Sequence, residues 1–249
     1  MSAIYKREML SFFTSPVGYV FSAIFFAISG VTFALDTVYA GTTDTNNYFS
    51  TMLLFFVILI PLLTMKLLSE ERKSKTEQIL MTSPVSLAGI ISAKFFAAYT
   101  VFAGTLIVSS VINMLSLNAL AKKQEYVISK MNLPTVFGSV VGILLIGAAF
   151  IAIGLFISSL TENQIVAAVL SIGVFILIMA SGYLASGINN TVLRTVVKWF
   201  SVADRFSAFT RGRFDFTAVI YYISLTVVFI FLTVGISRLK ARAYISGKD

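Results

Sequence analysis

The sequence predicts an all-α membrane protein with six transmembrane helices, and three observations carry that prediction. Of 249 residues, 57 % are hydrophobic and 12 % charged, about half the charged share of an average soluble chain. The mean hydropathy is +0.91, so more apolar surface is present than one compact core of this size can hide, and lipid is the fitting solvent for the remainder. Stretches such as 142–156 also run apolar without a break, whereas the strands of a membrane barrel alternate apolar and polar residues.

Taken in order, the first dozen residues set Ile4, Met9, Phe12 and Phe13 among Lys6, Arg7 and Glu8. That mixture predicts a helix lying in the membrane interface, closed by the Thr14-Ser15-Pro16 break. The spans follow near Val17–Leu35, Phe49–Leu67, Leu87–Leu117, Val136–Leu160, Ile165–Ala185 and Ala218–Ile236. Each meets the roughly twenty helical residues a bilayer demands. The third is longer than required, so its ends must project or tilt. Pro61 is expected to kink the second span. Gly138 and Gly142 form a G-x-x-x-G pair in the fourth span, with Gly147 and Gly154 further along, and they mark where another helix can approach closely.

Between the spans, the loop from Ser69 to Pro84 is the most informative stretch. Thr76, Glu77 and Gln78 favour a helix start, Ile79, Leu80 and Met81 give it a short apolar edge, and Pro84 stops it. A short helix of this kind can dock on a soluble partner. The segment 186–217 is too polar to cross, yet it interleaves Trp199, Phe200, Phe206 and Phe209 with Arg194, Lys198, Arg205, Arg211 and Arg213, the pattern of short interfacial helices.

An even number of spans puts both termini on one side. Eleven Lys and Arg residues fall on the side of the termini and eight on the other, which predicts cytoplasmic ends by the positive-inside rule. The net charge of +8 then belongs to span flanks meeting anionic head groups. Nucleic acid is excluded as a partner because the aromatic–basic segment 186–217 falls on the outer side.

Several kinds of chemistry are missing. With Cys 0 and His 0, thiol nucleophiles, imidazole bases and the usual zinc ligands are gone. No ionisable residue sits at the centre of a span, since Asp36 and Lys94 lie near span ends and Glu162 in the Ser158–Asn163 turn, which leaves a proton-coupled carrier little to work with. The one Gly-Lys pair, Gly247-Lys248, has Arg242 where a P-loop needs its first glycine and Asp249 where it needs Ser or Thr. If ATP is used, another chain supplies its site.

Two stretches carry a family resemblance. One is Tyr5-Lys6-Arg7-Glu8 with Phe12-Phe13-Thr14-Ser15-Pro16-Val17-Gly18-Tyr19. The other is Glu70-Glu71-Arg72 followed by Thr76-Glu77-Gln78-Ile79-Leu80 and Thr82-Ser83-Pro84-Val85-Ser86, then Lys94. With the span number and loop lengths, they resemble the permease subunits of type-two ABC transporters, in the gliding-motility and nitrous-oxide-reductase-maturation branch. Where that family carries a glycine before the Thr-Glu element, this chain has Ser74 and Lys75.

The resemblance implies a single permease domain over residues 1–249, with an elbow helix at 2–13, a coupling-helix loop at 70–84 and extracytoplasmic interfacial helices at 186–217. It implies an ABC exporter of the type-two architecture in the cytoplasmic membrane, dimerised with a second permease copy. The chain would not be catalytic and would bind no cofactor, since a separate ATP-binding subunit holds ATP and magnesium. That subunit would grip Glu70, Glu71, Arg72, Thr76, Glu77, Ile79, Leu80 and Thr82, the first three anchoring the coupling helix and Ile79 and Leu80 supplying its buried contact. The same resemblance leaves open an ATP-driven mechanical or assembly module acting on an extracytoplasmic partner protein.

Overall fold

The structure, a computed structural model, describes residues 2–42, 44–74, 86–123, 133–199, 201–213 and 215–245, with the backbone alone described at 120–123 and 241–245. Among the described residues there is no strand. The helices are α1 (Ser2–Thr14), α2 (Pro16–Phe33, continued as a π-helical segment over Ala34–Tyr39), α3 (Asn46–Thr64) and α4 (Ser69–Lys73), followed by α5 (Leu87–Lys123), α6 (Leu133–Ser158), α7 (Gln164–Ser186), α8 (Thr191–Trp199), α9 (Val202–Thr210) and α10 (Phe216–Ile245). Six helical stretches among them are long and apolar enough to cross a membrane: Pro16–Tyr39, Asn46–Lys73, Leu87–Ala119, Leu133–Ser158, Gln164–Ser186 and Phe216–Lys240. All six expected spans are there. The first extends past Leu35 through the π segment, because a wider helical turn carries Asp36 and Thr37 along before the chain reverses.

The α6 helix is the centre of the bundle, with α3, α5, α7, α9 and α10 packed around it. Its 26 residues make a rod about 39 Å long at 1.5 Å per residue, and its glycines set what fits where. A Cβ on Gly138 would sit 2.8 Å from the Phe209 carbonyl oxygen, and one on Gly142 would meet Phe206 and Phe209 at about the same range. Further along, Gly147 takes the ring of Phe102 from α5, and Gly154 takes Thr64 from α3. The G-x-x-x-G pair therefore receives the short helix α9 rather than another span. Lipid tails are as apolar as the side chains, so close packing of this kind holds the helices together where hydrophobic burial cannot. Phe102 is locked in turn by edge-on contacts with Phe25 and Phe56.

One polar knot crosses the bundle toward the Leu133 end of α6. The Ser29 hydroxyl meets those of Tyr48 and Ser109, and the Asn113 amide donates to Ser29 and Tyr48 at 3.0 Å each. Its members come from α2, α3 and α5 and satisfy one another where water is excluded. Of the stretch 186–217, α8 buries no residue, whereas α9 buries Val202, Phe206 and Phe209. The aromatics expected in the interface are thus divided: Phe206 and Phe209 serve the core, Trp199 stays 60 % exposed, and Phe200 lies outside the described residues.

Candidate functional site: an ion-pair ring at the start of the loop

The ion pairs seen among the described residues gather at the Ser158 end of α6. The cluster begins with α1, whose apolar side buries Phe12 while Glu8, one turn earlier, faces the same way. Pro16 starts α2 at a position where its fixed φ suits a helix and its missing N–H costs nothing. Gly18 lets the two helices fold tightly together, because a Cβ there would lie 2.3 Å from the Phe12 carbonyl oxygen. The sharp corner lays α1 antiparallel along α5. The Tyr5 hydroxyl donates to Thr100 at 3.0 Å, and Glu8, a turn further along α1, meets Lys94 earlier on α5.

Lys94 is the only charged residue in the long apolar run of α5 up to Ala119, and it is 2 % exposed. Its ammonium lies 3.2 Å from Glu8 Oε1 and 2.8 Å from Glu71 Oε1. Arg7 closes the figure, its Nη2 donating to the same two oxygens at 2.6 and 3.0 Å. Two carboxylates and two cations form a ring of no net charge drawn from α1, α4 and α5. A lone buried ammonium would cost several kcal/mol in lost hydration. Glu8 and Glu71 supply the counter-charges that such a group needs, and Arg7 restores neutrality from the rim, where its side chain is 53 % exposed. The hydrogen bond to Glu8, with the charges of Glu8 and Glu71, outweighs desolvation and holds the Arg7 guanidinium above its ordinary range. It therefore stays cationic at any working pH.

Glu71 is held in place by a break in the second span. The α3 helix ends at Thr64, and the chain turns over 65–68 before α4 begins. Leu68 gives no side-chain cap to α4. Ser158 from the end of α6 does so instead, its Oγ accepting the N–H groups of Leu68 and Ser69 at 3.2 and 3.1 Å and donating to the Met65 carbonyl at 3.2 Å. The Ser69 hydroxyl donates to the same carbonyl. Next door, Lys240 of α10 donates to the Ser159 carbonyl at 3.3 Å. Helices α1, α5 and α6 are thereby tied to the first residues of the loop, and α10 to the end of α6.

Of the residues expected to bind a partner, Glu71 stands in the ring. Glu70 lines a cleft of about 310 Å³ that opens beside it, with Ser11, Ser15 and Lys66 on the other walls. Arg72 is buried at 7 %. Thr76, Glu77, Ile79, Leu80 and Thr82 lie outside the described residues. Arg7, Glu8, Lys94 and Ser158 were not assigned a site role from sequence. The usable signal was Lys94, a solitary charge in an apolar helix, which demands a counter-charge from somewhere in the chain.

A family model described as ABC-2 family transporter protein matches residues 21–239, from α2 to α10. Glu71, Lys94 and Ser158 fall inside the match, and Arg7 and Glu8 precede it. A search of curated proteins gives no match.

Proposed function

From the premise that this chain belongs to the ABC-2 family of transporter proteins, and so is a multi-pass membrane permease component of an ABC transporter with an ATP-binding subunit as partner, we propose that it is the moving part of an exporter driven by that subunit. The ring end of the bundle faces the cytoplasm, with both termini, and two copies of the chain enclose the path. The coupling-helix loop 70–84 seats in a groove of the ATP-binding subunit, Ile79 and Leu80 innermost. ATP and magnesium stay on that subunit.

The observation supporting this reading is the ring itself. A pull on the loop arrives first at α4, and α4 is locked to α1 and α5 through Glu71, Lys94, Glu8 and Arg7. Ser158 adds α6 to the same body. Closure of two ATP-binding subunits is thereby converted into tilting of helices as a unit, the rigid-body kind of switching. Such coupling requires contacts that differ between the two states, and charge-paired contacts at a span end are suited to that.

The test is purification of the full chain from its own membranes in mild detergent. A P-loop protein is expected to co-purify in a fixed ratio, with ATP turnover that rises on reconstitution into liposomes. A chain that elutes without any nucleotide-binding protein, and whose transport persists after ATP depletion, would refute the reading.

A further inference from the structure

The opposite end of the bundle holds a second charged cleft, and the geometry points to a binding site for the head group of a phospholipid that carries both a phosphate and a primary ammonium. This inference rests on the chain's place in a membrane and not on its coupling to ATP.

The cleft measures about 620 Å³ and lies between α8, α9 and the start of α10, a size ordinary for a small-molecule site. Thr191, Arg194, Thr195 and Lys198 line it from α8, at spacings that place them on one helical stripe. Asp204 and Asp215 line it from the other side. Arg194 and Lys198 form no ion pair with either carboxylate among the described residues, although all four border the same space. Opposite charges kept apart around one cavity suit a ligand with charges of its own at two points.

The third cation of the cleft is already engaged. The Arg205 guanidinium lies 3.9 Å from the centre of the Tyr221 ring and donates to the carbonyls of Trp199 and Ser201 at 2.6 and 3.2 Å. It fixes the junction of α8 and α9 and leaves Arg194 and Lys198 for the phosphate.

The opposite stripe of α8 identifies the occupant as a lipid. Val192, Leu193 and Val196 are each more than half exposed, as is Trp199 at the edge of the cleft. A helix with an uncovered apolar stripe on one side and cations on the other lies in the plane of a membrane surface, acyl chains against the first and head groups against the second. Tryptophan at the boundary is the usual anchor at that depth. Phosphatidylethanolamine meets every requirement: its phosphate faces Arg194 and Lys198, and its ammonium donates to Asp204 and Asp215.

The experiment titrates the purified transporter complex in mild detergent with phosphatidylethanolamine, phosphatidylglycerol or phosphatidylcholine and counts bound lipids by native mass spectrometry. Phosphatidylethanolamine is expected to bind best. Arg194→Gln with Lys198→Gln should weaken it and phosphatidylglycerol alike by about tenfold or more, the loss of charge-assisted hydrogen bonds. Asp204→Asn should weaken phosphatidylethanolamine selectively and leave phosphatidylglycerol unchanged, while Arg194→Lys with Lys198→Arg retains binding and shows that the fold persists. Equal binding of the three lipids would overturn the proposal, as would variants that bind like the parent protein. Equally strong competition by soluble glycerophosphoethanolamine would overturn the lipid source, and burial of the α8 stripe against a second copy of the chain would remove its basis.

Discussion

Replacing Lys94 with methionine should unlock the ring and lower the thermal midpoint of the chain more than any other single change among its charged residues. Methionine keeps the apolar stem and removes the ammonium that touches both Glu8 and Glu71. The two carboxylates are then left facing each other with only Arg7 between them, at a rim where water screens it. Breaking a buried pair by removing one partner costs about 3–5 kcal/mol, because the survivor keeps its burial without its counter-charge. The lower end of that range applies, since the Glu71 side chain is 17 % exposed. Adding Glu8→Gln and Glu71→Gln to Lys94→Met removes the orphaned charges and should recover most of the lost stability. It should not recover transport, because α4 is no longer bonded through charge to α1 and α5. Thermal unfolding in detergent and transport in liposomes separate the two effects. A single Lys94→Met variant that melts and transports like the parent would show that the ring neither stabilises nor transmits.

The second large effect concerns the loop 70–84. Changing Ile79 and Leu80 together to Asp should leave insertion and the thermal midpoint of the permease alone, because neither residue falls in one of the six long apolar stretches of the sequence. Affinity for the ATP-binding subunit should fall at least a hundredfold. Burying each of these side chains is worth roughly 1.5–3 kcal/mol, and every 1.4 kcal/mol is about tenfold in binding. The introduced carboxylates would add a desolvation cost in the proposed apolar groove. ATP turnover by the subunit should then lose its response to the permease. Unchanged co-purification and unchanged stimulation would place the gripping contact elsewhere.

How much of this was legible in the sequence follows from the physics of each feature. The six spans were legible because a bilayer imposes a length and an unbroken apolar character that few other structures need, and the Thr14-Ser15-Pro16 break marked the corner between α1 and α2, whereas the close approach at Gly18 is shown only by the fold. The π-helical end of α2 was not, since nothing in Ala34–Tyr39 distinguishes a widened turn from an ordinary one. The glycines of α6 announced a close approach but not by what. Only the fold shows that Gly138 and Gly142 receive α9 and that Gly147 and Gly154 receive Phe102 and Thr64. The ring was half legible. Glu71 and Lys94 stood out as charges beside spans, yet their union with Arg7 and Glu8 brings α1 against α4 and α5, with Arg7 and Glu71 64 positions apart, and pairing of that kind is set by tertiary arrangement. Ser158 carried no signal, because a serine that caps another helix looks like any serine at the end of its own.

The most direct measurement uses the absence of native cysteine. A single Gln78→Cys substitution provides one thiol on the apolar-tipped segment, and a membrane-impermeant maleimide reports which side it faces and whether a protein covers it. The thiol should react only in inside-out vesicles, and only after the ATP-binding subunit has been stripped away. Labelling from the outer face, or equal labelling with and without that subunit, would contradict the claim that this segment is where the ATP-binding subunit takes hold.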